Sequence, residues 1–180
     1  MSTLLALSGA LRAGSTNTLL LREAARLYGA EHFAMGDLRL PLYDGDLESA
    51  SGLPEEVTRL ASQIQAADAV IISTPEYNGN ITGVLKNALD WISREKFKPF
   101  ADKPVAIMSA AAGRAGGARA QYSLRLCLVA FGARVLPGPE VALAGSGKAF
   151  DGEGALQDEF AQKLLAELMD SLKAEVARGT

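Results

Sequence analysis

Cysteine, histidine and tryptophan each occur only once in these 180 residues, and their scarcity removes several classes of function. With Cys127 alone, no intramolecular disulfide can form, which fits a reducing compartment. His32 has no companion Cys or carboxylate cluster at metal-ligand spacing, so no metal site is expected. Charge of one sign is lacking as well: 18 Lys and Arg against 21 Asp and Glu leave a formal charge of -3. That balance makes no electrostatic case for nucleic acid or an anionic membrane as a partner. No apolar run is long enough to span a bilayer, and Met1-Ser2-Thr3 leads into a core strand without a charged start or cleavage site. The expectation is a cytoplasmic protein. What the chain does have is apolar residues, 48% of the total. That share and length suit one globular domain over 1–180.

Strand-like and helix-like patterns alternate along it. Leu4 to Leu7 is an apolar run, followed by a helical face of Leu20, Ala24, Leu27 and Tyr28 that Gly29 stops. A weaker strand follows around His32 to Met35, and then a long connection, Asp37 to Ser51, rich in turn formers. Pro54 suits the first turn of a helix carrying Val57, Leu60, Ala61 and Ile64. Asp68 to Thr74 and Val105 to Ser109 read as buried parallel strands, separated by a helix with Val84, Leu85, Ala88, Leu89 and Ile92 inward. Leu124, Cys127, Leu128 and Phe131 form the next stripe, ending at Gly132, with Cys127 in the core. A fifth strand lies at Ala133 to Leu136 or at Glu140 to Leu143, with Pro137 and Pro139 between them. Leu156, Phe160, Leu164, Leu168 and Leu172 line a final helix. Five strands alternating with helices imply an α/β doubly wound parallel sheet.

The turn after the first strand, Ser8-Gly9-Ala10-Leu11-Arg12-Ala13-Gly14-Ser15-Thr16-Asn17, is suited to an anion: two glycines, several hydroxyls, a guanidinium and a helix start. Ser15 stands where a nucleotide-triphosphatase loop needs lysine, and three glycines at dinucleotide-fold spacing are missing. A monophosphate tail fits what is left; an ordinary helix-capping turn is the competing reading. In a doubly wound sheet this loop meets the loops after strands three and four. These are Thr74-Pro75-Glu76-Tyr77-Asn78-Gly79 and Ser109-Ala110-Ala111-Ala112-Gly113, continuing through Arg114 to Arg119. Shaped backbone and an aromatic at Tyr77 suit a flat heteroaromatic ring, so phosphate and ring together describe a flavin mononucleotide.

The segments Gly9-Ala10-Leu11-Arg12-x-x-Ser15-x-Asn17, Leu40-Pro41-Leu42-Tyr43-Asp44, Pro75-Glu76-Tyr77-Asn78, Thr82 through Trp91 and Gly116-Gly117-Ala118-Arg119 resemble the NAD(P)H-dependent FMN reductase family, a flavodoxin-like group that includes quinone, chromate and azo-dye reductases. The resemblance implies a sheet order of 2-1-3-4-5, FMN as cofactor and NADPH or NADH as co-substrate. It assigns the phosphate to Arg12, Ser15 and Asn17, with Ser8 and Thr18 beside them. It assigns the ring to Pro75, Glu76, Tyr77 and Asn78, with Ser109 and Gly113 on its other side. Ala10 replaces a serine common in the family, and Thr82 replaces a proline but is able to cap the following helix.

On that reading hydride passes from nicotinamide to flavin N5 in a ping-pong cycle and on to a quinone, free flavin, azo compound or metal oxyanion such as chromate. Catalysis then needs no protein nucleophile. Backbone N–H groups around Asn78 and Gly79 and the third helix start would meet the charge near flavin N1. Arg114 and Arg119 read as solvated or as ligand contacts, Trp91 as packing or as a ring stacked on the ligand, and Arg94 to Lys98 as surface or as an aid to a phosphorylated nicotinamide. The connection carrying Asp44, Asp46 and Glu48 reaches toward a neighbouring subunit in such relatives, implying a homodimer or homotetramer. The competing functions are a flavodoxin-like electron carrier, which would be more acidic, and a non-flavin nucleotide-binding module.

Overall fold

The computed structural model of the chain describes residues 2–179. Strands β1 (Thr3–Ser8), β2 (His32–Gly36), β3 (Ala69–Ser73), β4 (Pro104–Ala110), β5 (Arg134–Val135) and β6 (Val141–Leu143) form one parallel sheet. Its order is β2-β1-β3-β4-β5, with β6 also beside β4, the flavodoxin-like arrangement. β5 pairs with Pro104 and Val105, and β6 with Met108 to Ala110. Both segments between which the sequence left the fifth strand open are therefore used, one after the other along the same edge. Pro137 and Pro139 lie between them and have no N–H for a ladder, so the strand breaks there.

Alternation along each strand sends side chains to two helical layers. Leu4, Ala6, Ile71, Ala106 and Met108 face α1 (Thr16–Tyr28) and α6 (Glu159–Arg178). Leu5, Leu7, Val70, Ile72, Val105 and Ile107 face the other layer, formed by α3 (Glu55–Ala66), α4 (Gly83–Ile92) and α5 (Ala118–Val129). Each fully buried aliphatic side chain contributes roughly 1.5–3 kcal/mol, more than a typical loop hydrogen bond at about 1 kcal/mol. The sheet is thus a platform on which loops of unusual sequence can be carried. No helix among the described residues is long and apolar enough to cross a membrane.

Three expectations need correction. The connection from 37 to 51 is not all loop: Asp44 accepts from the Asp46 amide at 2.9 Å and starts a short helix, α2 (Gly45–Ser51), none of whose side chains is buried. The last helix begins at Glu159, capped by Asp158, which accepts from Ala161 N at 2.7 Å. Leu156 lies before it, Phe160 is 70% exposed, and the buried line is Leu165, Leu168, Met169 and Leu172. Cys127 is only half-buried at the margin of its core. By contrast Thr82 caps α4 as expected, accepting from Leu85 N at 3.4 Å.

Candidate functional site

The loops after β1, β3 and β4 meet at the carboxyl ends of their strands and surround a cleft of about 350 Å3. Its walls include Arg12, Ser15, Asn17, Pro75, Glu76, Tyr77 and Gly113. A further lobe of about 290 Å3 shares Glu76 and Gly113 and extends to Arg114 and Arg119. The sequence-derived residues that stand elsewhere do so for local reasons. Ser8 and Thr18 share a hydroxyl–hydroxyl bond of 2.9 Å and line a separate cleft on the far side of the first loop. Asn78 and Gly79, at φ 53° and 79°, are the centre of a tight turn closed by Tyr77 and Asn80, whose amides each donate to the other's carbonyl at 3.0 and 3.2 Å. Neither Asn78 nor Gly79 donates a backbone hydrogen bond among the described residues. Ser109 is fully buried beneath the third loop.

The first loop owes its shape to Ser15, which caps α1 by accepting from Asn17 N at 3.2 Å while its own amide donates to Arg12 O at 3.2 Å. Gly9 continues the ladder through its amide to Ser73 O at 2.8 Å, where a Cβ would come within 2.6 Å of Thr74 Oγ1. The first turn of α1 contains no acidic residue, so its unpaired N–H groups and positive dipole end are not neutralised from within. Arg12 is exposed, with no ion pair or hydrogen bond from its side chain among the described residues.

Asn17 faces inward. Its Nδ2 donates to Ala110 O at 2.8 Å, and its Oδ1 accepts from Ala110 N at 3.0 Å and Ser73 Oγ at 2.8 Å. Ser109 Oγ likewise donates to Gly116 O at 2.7 Å and accepts from Gln121 Nε2 at 2.8 Å. These bonds stitch α1 to β3 and β4, and α5 to β4. Gly116 and Gly117 have positive φ, and a Cβ would meet Ala142 O at 2.3 Å or Ser109 Cβ at 2.8 Å; the loop closes only with glycine at both.

Glu76 carries the main electrostatic feature. Its side chain is 12% exposed, one oxygen accepts from Arg119 at 2.6 Å, and the other is buried without a donor. A carboxylate oxygen left unpaired away from water is costly. It offers an acceptor to a ligand N–H in the cleft. Tyr77 beside it is 55% exposed. Arg119, which the sequence left between solvent and ligand, is thus held by Glu76.

Ser146 was missed by reading the sequence. It accepts from Thr16 Oγ1 at 3.2 Å and lines the cleft from the turn after β6. The Gly145-Ser146-Gly147 triplet was its only sequence signal. A larger cavity, about 710 Å3, lies between β6 and the start of α6, but Lys148 is its one cation, set against Glu140 and Asp158. It lacks an arginine and any of the loop residues singled out above.

Beside the cleft, the connection after β2 is clasped to α4. Pro41 O accepts from Trp91 Nε1 at 2.8 Å and Asn87 Nδ2 at 2.9 Å, while Tyr43 N donates to Asn87 Oδ1 at 2.8 Å. Trp91 is fully buried and meets the Tyr43 ring edge-on at 4.9 Å. Arg94 Nε reaches both Glu48 oxygens at 2.9 and 3.0 Å, and Tyr43 donates to Glu48 at 3.1 Å, which raises the phenol above its usual pKa.

The fold and this cleft define a flavodoxin-like nucleotide-binding domain. The sequence profile of the NADPH-dependent FMN reductase family matches residues 2–148, and the chain belongs to that family. FMN is the flavin and NAD(P)H the co-substrate of its members. The chain is 44% identical over 176 residues, covering 97% of itself and 95% of the relative, to an NAD(P)H-dependent FMN reductase of Pseudomonas aeruginosa. It is 45% identical over 137 residues, 74% of itself and 73% of the relative, to a quinone reductase of Escherichia coli. Among solved structures it is similar to FerB, a flavoenzyme NAD(P)H:(acceptor) oxidoreductase of Paracoccus denitrificans, with a TM-score of 0.88, 30% identity and coverage of 99% and 98%.

Proposed function

We propose that this protein is an FMN-dependent NAD(P)H oxidoreductase that works by a ping-pong cycle and reduces quinones, with free flavin, azo compounds and metal oxyanions such as chromate as further acceptors. The observation that carries the reading is one cleft uniting an unpaired arginine at a capped helix start with an aromatic ring and a buried, unpaired carboxylate oxygen. Those are the complements of an anionic tail and of a ring bearing an N–H.

When bound, FMN supplies the ability to accept hydride from a nicotinamide and to deliver reducing equivalents to an acceptor. Arg12, the Ser15 hydroxyl and the first amides of α1 hold the phosphate, joined by Ser146. Pro75, Glu76, Tyr77 and Gly113 hold the ring, with Glu76 fixed in direction by Arg119. The amides of Asn78 and Gly79, which donate no backbone hydrogen bond among the described residues and follow directly on Tyr77 at the cleft wall, would offset negative charge on a bound, reduced ring. Asn17 and Ser109 are positioning residues: they set the loops rather than touch the ligand. No side chain is needed as general acid, since solvent reaches the open cleft.

The exposed Leu42, at 82%, rides on the clasped connection, and Tyr122, Leu126 and Val129 form an exposed stripe on α5. Such apolar surface supports a homodimer or homotetramer. The cytoplasm, where NAD(P)H is kept reduced, is the compartment we assign. Anaerobic titration of the yellow holoprotein with each nicotinamide, followed by reoxidation with benzoquinone, FMN and chromate in turn, tests the reading. Bleaching by nicotinamide without any other protein, followed by benzoquinone-dependent recovery, is the expected result. A holoprotein that neither nicotinamide bleaches is an electron carrier, and a protein that never takes up FMN refutes the proposal outright.

A further inference from the structure

On the far side of the first loop lies a second cleft of about 480 Å3, between that loop, the first turns of α1 and the chain leaving β2. It shares Ala10 and Arg12 with the cleft proposed for the flavin, so the two cavities adjoin across the first loop. Its charge is one-sided: Arg12, Arg22 and Arg39 line it against a single acid, Asp37. Arg22 makes no side-chain hydrogen bond or ion pair among the described residues and is exposed. Arg39 is paired to Asp37 at 3.3 Å, with both side chains more than half exposed, and donates to Leu11 O at 3.1 Å, which ties the loop after β2 to the loop after β1. Thr18 and Arg22 are one helical turn apart on the same face of α1. Leu11, Met35 and Leu38 add apolar wall.

The unpaired Arg22, and Arg39 held near it by only a solvent-exposed pair to Asp37, stand over an apolar-walled pocket beside a pair of hydroxyls, and fit a phosphate monoester on the sugar of a flat-based nucleoside. NADPH and NADH differ by one such monoester, on the ribose of the adenosine. Resting on the proposed nicotinamide-dependent function, we propose that this cleft receives the adenosine end of NADPH and that Arg22 and Arg39 bind its 2'-phosphate. The chain thereby prefers NADPH to NADH. Because the arginines are exposed, the preference weakens as ionic strength rises.

The test has a binding arm and a kinetic arm. Titration calorimetry of the FMN-loaded protein with 2',5'-ADP and with 5'-AMP is expected to show at least about tenfold tighter binding of the former, as one charge-assisted contact provides. Arg22→Ala and Arg39→Ala are each expected to shrink that ratio severalfold, and to raise KM for NADPH about tenfold more than KM for NADH. Circular dichroism and retained yellow colour show that the variants are folded. Equal binding of the two nucleotides by the parent protein overturns the proposal, and so does an unchanged ratio in both variants. If Arg22→Ala instead releases FMN, the cleft belongs to the flavin phosphate and the proposal is likewise overturned. A parent holoprotein that discriminates 2',5'-ADP but oxidises neither nicotinamide refutes the function proposed above while upholding the cleft.

Discussion

Two layers of polar side chains lie at the carboxyl ends of β1, β3 and β4, and they differ in what they are bonded to. In the lower layer Asn17, Ser73, Ser109 and Gln121 are buried and bonded to one another or to the backbone of β4, β6 and the third loop. In the upper layer Arg12 and Tyr77 are exposed, and Glu76 keeps one oxygen without a partner. On the proposed reading the lower layer serves folding and the upper layer binding, although one short motif, Arg12-x-x-Ser15-x-Asn17, draws from both. Substitutions that separate stability from flavin affinity break or sharpen this division.

The largest effect is expected from Asn17→Ala. It leaves the Ala110 amide and carbonyl and the Ser73 hydroxyl without partners, at about 1–3 kcal/mol for each buried group left unsatisfied. Urea unfolding of the apoprotein should lose about 3 kcal/mol or more; a loss under about 1 kcal/mol would place Asn17 in the binding layer instead. Arg12→Ala comes next and should do the reverse. The apoprotein midpoint stays within about 0.5 kcal/mol, as for an exposed unpaired side chain, while FMN dissociation measured by fluorescence weakens about tenfold, the worth of one charge-assisted contact.

Glu76→Gln tests the same boundary from the other side. Its pair with the exposed Arg119 adds at most about 1 kcal/mol, so the apoprotein melting temperature barely moves, whereas flavin affinity falls severalfold if the unpaired oxygen meets a ring N–H. Equal losses in both measurements would make Glu76 a scaffold residue.

The smallest effect concerns the turn before α6. Asp151 accepts from Ala155 N and Glu153 N, both at 2.9 Å, with the Ala155 amide the main cause of a carboxyl held below its ordinary pKa. A lowered carboxyl contributes stability above the usual carboxylate range and loses it as pH falls through its own depressed value. Amide exchange across residues 151–157 should therefore quicken on acidification below the usual Asp range, while exchange in β3 is unchanged over the same interval. Equal acceleration in both would show that the turn has no titration of its own.

Much of the upper layer was legible because loops advertise themselves. Pro75-Glu76-Tyr77-Asn78 and the glycine run near Gly116 interrupt the apolar periodicity on either side of them. Thr82 at the start of α4 was readable for a similar reason, since a cap is a local device. The inward turn of Asn17 was not, because its partners are Ser73 and Ala110, 56 and 93 residues away. Ser146 entered the cleft from a turn 130 residues beyond Thr16, with nothing nearby in the chain to mark it. Phe160 fitted a helical stripe on paper, but capping by Asp158 set the helix start beyond Leu156, and the buried line passed to Leu165 and Met169 instead.

By itself the sequence determined the alternation of strands and helices, the three loops that gather at one end of the sheet and some helix ends, such as the Thr82 cap of α4 and the Gly29 stop of α1. These depend on periodicity, capping and backbone freedom within a few neighbouring residues. Only the tertiary structure decided which hydroxyls and amides are buried as struts and which face the cleft. It alone split the fifth strand between two segments and set three arginines around a second cleft. A hydrogen bond or a shared cavity wall joins residues by distance in space, and that distance is fixed only once the sheet order has brought far-apart parts of the chain together.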